Sequence, residues 1–159
     1  MSNAVMIATT LAGLLLAAGP VSAQQAPPVP PPQYDAALAQ RVGADDMGMR
    51  PFVLVVLKSS PTPLPKGPER DEMFRGHFAN MNRLAEAGQL AFAGPLDGVD
   101  GWRGIFVLAV PDIEQARALV ATDPVVAKGE MVPEFHKLYG SAALMLVNEA
   151  HAKVAKRSF

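Results

Sequence analysis

The strongest hydrophobic pattern in the chain is an unbroken apolar run, Phe52–Leu57. An apolar run without polar alternation indicates a strand that is buried on both faces. Gly104–Val110 has the same character and predicts a second strand of this kind. Gln89–Leu96 predicts a further strand, which Gly94-Pro95 interrupts. Together these segments predict a sheet that exposes little surface to water on either face.

Two other segments repeat their apolar residues at the spacing of an amphipathic helix. In Glu69–Ala87, which Gly88 follows as a suitable C-terminal residue, they are Phe74, Phe78, Met81 and Ala85. In the segment after Asp112 they are Ile113, Ala116, Leu119 and Val120. Asp112 and Gln115 resemble a capping box at the start of this second helix. Thr122-Asp123-Pro124 ends it, because the residue before a proline avoids helical geometry.

The remaining elements complete the order β-α-β-β-α-β. Glu130–Tyr139 predicts a fourth strand, in which Pro133 favours an edge position or a bulge. Ala142–Lys156 predicts an added C-terminal helix. This order is typical of the ferredoxin-like α+β fold. Two helices cover only one face of a four-stranded sheet, so either the C-terminal helix or a second subunit must cover the other face.

The first 23 residues have features of a signal peptide. Ala4–Ala18 is apolar but shorter than the roughly 20 residues of a membrane span. Val21-Ser22-Ala23 matches a small-residue cleavage site. No Lys or Arg precedes the apolar stretch, and an uncleaved N-terminal anchor is the alternative. We expect cleavage after residue 23 and a periplasmic or secreted location.

The rest of the chain is predicted to contain one domain between two less compact segments. Residues 24–50 are proline-rich and predict a linker with a short helix, Tyr34–Val42, that ends at Gly43. Residues 51–147 form the predicted domain, and residues 148–159 form a tail that contains the end of the last helix.

Composition narrows the possible functions. The formal net charge of −1 provides no basic surface for nucleic acid or for an anionic membrane. The absence of cysteine excludes disulfides, thiolate metal sites and a cysteine nucleophile. We therefore expect no nucleic-acid partner and, after signal cleavage, no membrane partner.

Several segments together resemble YCII-related proteins, particularly an exported branch of that family. They are Gly43–Met49, the helix around His77, Gly88–Leu96, Arg103–Phe106, Ala121–Pro124 and Tyr139–Leu144. The resemblance implies a dimeric α/β barrel built from two ferredoxin-like halves, and hence a homodimer. It also implies a histidine and an aspartate paired in a cleft, which in this chain are His77 and Asp123.

From the residues alone, His77 and Asp123 each have two interpretations. His77 lies at the margin of the first helix's apolar stripe, where a structural histidine is common, but imidazole also moves protons near neutral pH. Asp123 with Pro124 is the expected first pair of a new helix ending at Gly129, and a carboxylate can also orient an imidazole. Capping and orientation can coexist in one aspartate.

Three other polar residues are candidates for ligand binding. Glu134 and His136 are two apart in the predicted fourth strand, so their side chains share a face. That face is either an exposed edge or part of the cleft, where they would join His77 and Asp123. Such a set can bind zinc, but no tight metal-binding spacing is present, and we expect neither metal nor cofactor. Arg103 either binds an anionic ligand group or is a surface arginine beside an acidic turn.

These observations favour a small-molecule enzyme of lyase, isomerase or hydrolase type. His77 would be the general acid or base, and Asp123 would orient it. The alternative is a non-catalytic, dimeric envelope protein that binds a small molecule or a metal ion. A hydrogen-bonded pair in a closed pocket favours the enzyme, whereas separated residues or a shallow open face favour the binding protein.

Overall fold

One antiparallel sheet forms the centre of the computed structural model, which describes residues 33–157. Its strands are β1 (Met49–Ser59), β2 (Leu90–Pro95), β3 (Trp102–Leu108) and β4 (Met131–Ser141). They lie in the order β2-β3-β1-β4. The two strands with unbroken apolar runs, β1 and β3, are therefore the central pair. The edge position of β4 agrees with Pro133, which has no N–H for a second ladder.

Five helices and two 3₁₀ turns accompany the sheet within residues 33–157. The helices are α1 (Ala36–Val42), α2 (Pro68–Glu86), α3 (Ile113–Val120), α4 (Pro124–Ala127) and α5 (Val147–Val154). The 3₁₀ turns are Val99–Gly101 and Ala142–Leu146. With α2 and α3 as the crossovers, the order is that of the predicted ferredoxin-like α+β fold. The predicted C-terminal helix begins as the second 3₁₀ turn and continues as α5.

The main core lies between α2, α3, α4 and one side of the sheet, called here the helix face. Buried side chains of β1 and β3 on this face, such as Val55 and Phe106, contact buried residues of the helices, such as Leu84 and Val120.

The N-cap of α3 is Asp112, whose carboxylate accepts from the Gln115 N–H at 2.8 Å, as the capping box predicts.

The buried side of α2 differs from the predicted stripe. The buried positions are Met73, His77, Asn80 and Leu84. The predicted apolar residues Phe74, Phe78, Met81 and Ala85 lie beside this line and are only partly covered. Two of the four buried positions are polar, so a pattern of apolar residues could not mark the centre of the buried face. The predicted stripe therefore followed the edge of that face. His77 is therefore central to the face rather than marginal.

The opposite side of the sheet, called here the far face, is only partly covered. Phe52 and Val107 form a small cluster with Leu144 and Met145 of the second 3₁₀ turn. Toward the other end of β1, Trp102 and Val132 remain 42% and 50% exposed. The C-terminal segment therefore covers one part of the far face and leaves the other part open.

The ends of the domain extend beyond the predicted boundaries. The segment predicted as a linker contains α1 and the first two residues of β1. Arg41 of α1 forms an ion pair with Glu149 of α5 at 3.1 Å, and the Asn148 side chain donates to the Leu90 carbonyl at 2.7 Å.

The predicted signal peptide and the proline run that follows it lie outside the described residues. Among residues 33–157, no helix has both the length and the apolar character that crossing a bilayer requires.

Candidate active site

His77 lies at the middle of α2, with its ring held between aromatic side chains. The ring is stacked near Phe106 of β3, with centroids 5.9 Å apart and planes 27° apart. Phe74 meets it edge-on at 6.2 Å, and Phe78 lies tilted at 5.4 Å. Only 8% of His77 is exposed. This packing fixes the plane of the imidazole before any polar partner is considered.

The polar partner of His77 is Asp123, at the N-terminus of α4. His77 Nδ1 lies 2.9 Å from Asp123 Oδ1 and 2.8 Å from Oδ2. Asp123 is fully buried, and its Oδ1 also accepts from the Val125 N–H at 3.1 Å. When it is ionised, a carboxylate can only accept, so its pairing with Nδ1 favours the ring tautomer in which Nδ1–H donates. In the neutral form of that tautomer, Nε2 has no proton and can accept one.

Asp123 therefore has both of the roles that the sequence left open. It is the N-cap of α4, with Pro124 at the first helical position, and it also holds the ring of His77. The contact between the two residues confirms the predicted proximity. The hydrogen bond meets one part of the condition that favours an enzyme, and the other part is a closed pocket around the pair.

A cavity of about 330 Å³ lies beside the His77 ring, between α2 and the ends of β2 and β3. Its apolar wall includes side chains from α2 and three strands, namely Leu57, Phe74, Phe78, Met81, Phe106 and Met131. His77 and Arg103 also line it. Asp123 does not, contrary to the prediction that both members of the pair line the pocket. Asp123 contacts the Nδ1 side of the imidazole, whereas the ring itself lines the cavity.

Glu134 and His136 are not part of this cavity. They share a face of β4, as predicted, but their partners in the ladder are Val56 and Leu54, on the far face. Phe135, between them, packs into the core on the helix face. Glu134 accepts from Lys58 and pairs with His136 Nε2 at 2.8 Å. The alternation of strand side chains thus puts the sheet between this cluster and His77, which corrects the suggestion of a joint four-residue site.

A buried ion pair beside the cavity was missed by the sequence analysis. Glu130 is fully buried, accepts from the Leu64 N–H at 3.0 Å and is paired with Arg70 of α2. The Arg70 hydrogen bond holds the pKa of Glu130 below its ordinary value. The Arg70 guanidinium also lies 5.0 Å from the centroid of the Phe74 ring. Arg70 and Glu130 are 60 positions apart in the chain, so the sequence gave no signal of this pairing.

Metal ligands are not brought together in the part of the chain that the structure describes. Within residues 33–157, no group of three or more His, Cys, Asp or Glu side chains could hold a metal ion. Among the described residues, the polar chemistry of the cavity therefore comes from the His77 imidazole and the Arg103 guanidinium.

Comparison with known families identifies the region that contains this site. A family model described as "YCII-related domain" matches residues 52–133. The match includes His77, Asp123 and every residue that lines the cavity, but ends before Glu134 and His136. No curated protein matches the chain.

Proposed function

The chain belongs to the YCII-related family, and we propose that it is a small-molecule enzyme that uses His77 for acid–base chemistry. The observation that carries this proposal is the buried hydrogen bond from His77 Nδ1 to Asp123, beside a cavity that the same ring lines. Asp123 fixes the tautomer and orientation of the imidazole. It is a positioning residue, because the ring lines the cavity and Asp123 does not.

The side chains around the cavity favour proton transfer over covalent catalysis. Among the described residues that line it, there is no Ser, Thr, Cys, Lys or Tyr to act as a nucleophile. His77 Nε2 can remove a proton from a substrate carbon. The electrons of that C–H bond then move toward an adjacent carbonyl, or expel a leaving group from the neighbouring carbon. The imidazolium can return the proton at another position. These steps describe an isomerase or a lyase.

The apolar wall supports this chemistry, because it offers water few polar partners beside the imidazole. In a site with little water, hydrogen bonds and charges interact more strongly than in solvent. General acid–base catalysis by one positioned side chain contributes roughly 10²–10⁴-fold to the rate. The cavity must supply the remaining acceleration by holding the substrate close to Nε2.

Deuterium exchange tests this function even while the substrate is unidentified. A panel of small lactones, ketones and unsaturated acids is incubated with the protein in D₂O, and loss of C–H signals is followed by ¹H NMR. We expect at least one compound to exchange or react faster with the wild type than with His77→Gln. As a check on the site itself, ¹⁵N NMR of the His77 ring should show a protonated Nδ1 and a bare Nε2. A ring with the opposite tautomer and equal exchange by both proteins would refute the proposal.

A non-catalytic binding protein is the second candidate, and the composition of the cavity wall favours it. Most of the side chains that line the space are apolar and only two are ionisable, which suits retention of an apolar ligand. This candidate predicts that His77→Gln leaves ligand affinity nearly unchanged and that no compound is converted.

We also propose that the protein is a homodimer, on the separate ground of the uncovered part of the far face. Phe92, Trp102 and Val132 are 37%, 42% and 50% exposed there. A second copy placed sheet against sheet would remove these side chains from water and form the dimeric barrel that the family resemblance implies.

Export to the periplasm or outside the cell, after cleavage behind Ala23, is likewise proposed on the sequence of the first 23 residues.

A further inference from the structure

The start of β3 contains a β-bulge at Arg103. Gly104 pairs with Leu57 of β1, whereas the next β1 residue, Lys58, pairs with Trp102. Arg103 is therefore an extra residue with no partner position on β1. Bulges of this kind interrupt the alternation of side chains and re-aim one of them, and they are enriched beside active sites.

The bulge determines the side of the sheet on which the Arg103 side chain acts. With strict alternation, Arg103 would share the far face with Ile105 and Val107. Trp102 does keep to the far face, where the Lys58 Nζ lies 5.8 Å from the centroid of its ring. Arg103 instead lines the cavity on the helix face. Its charge also acts on buried Glu130, beside Arg70 of α2, and helps to keep the pKa of that carboxyl low.

Arg103 brings an unneutralised positive charge to the cavity wall. No Asp or Glu is among the described residues that line the cavity. Glu130 is already bound by Arg70 and by the Leu64 N–H, and within residues 33–157 the Arg103 side chain forms none of the ion pairs. A half-buried guanidinium beside apolar side chains therefore keeps its planar set of N–H donors available for an anion.

We propose that Arg103 is the specificity-determining residue of this site and that the ligand is a small apolar molecule carrying one carboxylate. This inference rests on the proposed function for the cavity and extends it to the class of substrate. A guanidinium can bind a carboxylate with two parallel hydrogen bonds, which fixes orientation as well as position. The apolar body of the ligand then lies along Phe74, Phe106 and Met131, and the bond to be broken lies toward His77 Nε2.

The size of the cavity limits this class further. A volume of about 330 Å³ is at the small end of the range of about 300–1,000 Å³ that ligand pockets occupy. It suits a body on the order of one substituted ring. Anchoring the carboxylate at Arg103 also keeps the charge of the ligand away from the base, so that Nε2 faces an uncharged carbon.

Matched acids and amides test the inference on the full wild-type chain. The probes are benzoate and phenylacetate, with benzamide and phenylacetamide as neutral isosteres. Binding is measured by NMR titration of the His77 ring signals, which a His77→Gln sample identifies among the three histidines. We expect each acid to bind at least about tenfold more tightly than its amide, because a charge-assisted pair contributes on that order.

Variants then assign the preference to one side chain. Arg103→Met should bind acid and amide equally, and Arg103→Lys should keep a reduced preference because it lacks the planar fork. Arg75→Met removes the same charge from an exposed position paired with Glu72, and it should keep the full wild-type preference. Thermal unfolding of each variant verifies that the fold is retained.

The outcomes separate this inference from the proposed function. Equal binding of acid and amide to the wild type, with clear shifts of the His77 signals, would overturn the role of Arg103 and leave the cavity as the site. Retention of the preference in Arg103→Met would do the same. If none of the four probes shifts the His77 signals, both the inference and the assignment of the cavity fail. The wild-type comparison holds even if a variant does not fold.

Discussion

Gly76 and Pro124 are in such close contact that a β-carbon on Gly76 would lie 2.9 Å from Pro124 Cγ. This contact brings α2 against the start of α4. Because His77 follows Gly76 and Asp123 precedes Pro124, the contact also sets the separation of the imidazole and the carboxylate. The glycine is needed here for space, since it lies within a regular helix and has no unusual backbone angle.

Gly76→Ala should therefore disturb the pair even though alanine is the better helix former. The gain in helix propensity is about 1 kcal/mol, whereas forcing a methyl group into a packed contact costs about 1–3 kcal/mol. We expect a net loss of about 1 kcal/mol in the free energy of unfolding and a weaker His77–Asp123 hydrogen bond, seen in the ¹⁵N spectrum. The double variant Gly76→Ala/Pro124→Ala should recover the wild-type ring signals. Unchanged signals in the single variant would contradict this role of the contact.

Asp123→Asn should separate the two roles of the aspartate. Asparagine caps a helix about as well as aspartate, so the melting temperature should change little. Its amide group can donate to Nδ1, which permits the tautomer with Nε2 protonated and removes the base. We expect turnover or deuterium exchange to fall by roughly 10²–10⁴-fold.

Asp112→Asn is the matched control for this substitution. Asp112 caps α3 in the same way, accepting from the Gln115 N–H, but it is partly exposed and takes no part in holding the imidazole. It should preserve both stability and activity. An equal loss of activity in the two variants would show that capping alone explains the effect of Asp123.

Glu130 should make the stability of the domain sensitive to acid. Its pKa in the folded chain is lowered, chiefly by the Arg70 hydrogen bond, so its stabilising contribution is complete above its ordinary pKa of 4.5. That contribution is lost as the pH falls through the folded-state pKa. We expect Glu130→Gln to lower the unfolding free energy by about 1–3 kcal/mol at pH 7, with a smaller difference from wild type near pH 3.

Urea unfolding at a series of pH values measures this dependence. Glu72→Gln is the control, because Glu72 pairs with Arg75 on the exposed side of the same helix, and exposed pairs contribute little. A constant difference between wild type and Glu130→Gln from pH 7 to pH 3 would exclude the titration of Glu130 as its cause.

Val132→Glu should dissociate the proposed dimer without unfolding the subunit. Val132 pairs with Lys58 in the ladder between β4 and β1, so a glutamate there has a nearby cation in the monomer. In a sheet-against-sheet dimer the same charge would be buried. Sedimentation velocity should give twice the mature mass for wild type and one mass for the variant. Val154→Glu, on the exposed side of α5, should remain dimeric, and a monomeric wild type at micromolar concentration would refute the dimer.

Ala23→Phe should block the proposed cleavage of the N-terminal segment. A small residue is required immediately before the cut, whereas the residue before it is unrestricted. In an export-competent host, wild type and Ser22→Phe should yield a chain that begins at Gln24, and Ala23→Phe should keep its first residue. Intact mass spectrometry distinguishes the products. An intact Met1 on wild-type protein would contradict export with cleavage.

The sequence predicted the parts of the fold that depend on local pattern. Unbroken apolar runs located the central strands, and Asp112 with Gln115 located the start of α3. Pro133 indicated the edge strand. These features depend on residues that are close together in the chain, so they can be predicted without knowledge of the tertiary structure.

The site was less predictable, because its arrangement depends on long-range packing. The pairing of His77 with Asp123 came from a family resemblance, since the two residues are 46 positions apart in the chain. Alternation showed that Glu134 and His136 share a face but not which face. The bulge that redirects Arg103 depends on the register between β1 and β3, which no single strand encodes.

Because the Val125 amide donates a hydrogen bond to Asp123, hydrogen exchange at that amide reports on the pairing of His77 with Asp123. That amide is protected only while the carboxylate stays in place at the start of a four-residue helix. A ligand that tightens the contact between His77 and Asp123 should slow hydrogen exchange at Val125, and a change that releases the carboxylate should accelerate it. The rate of a single amide thus measures how often the imidazole loses its orienting partner, in a protein whose substrate need not be known.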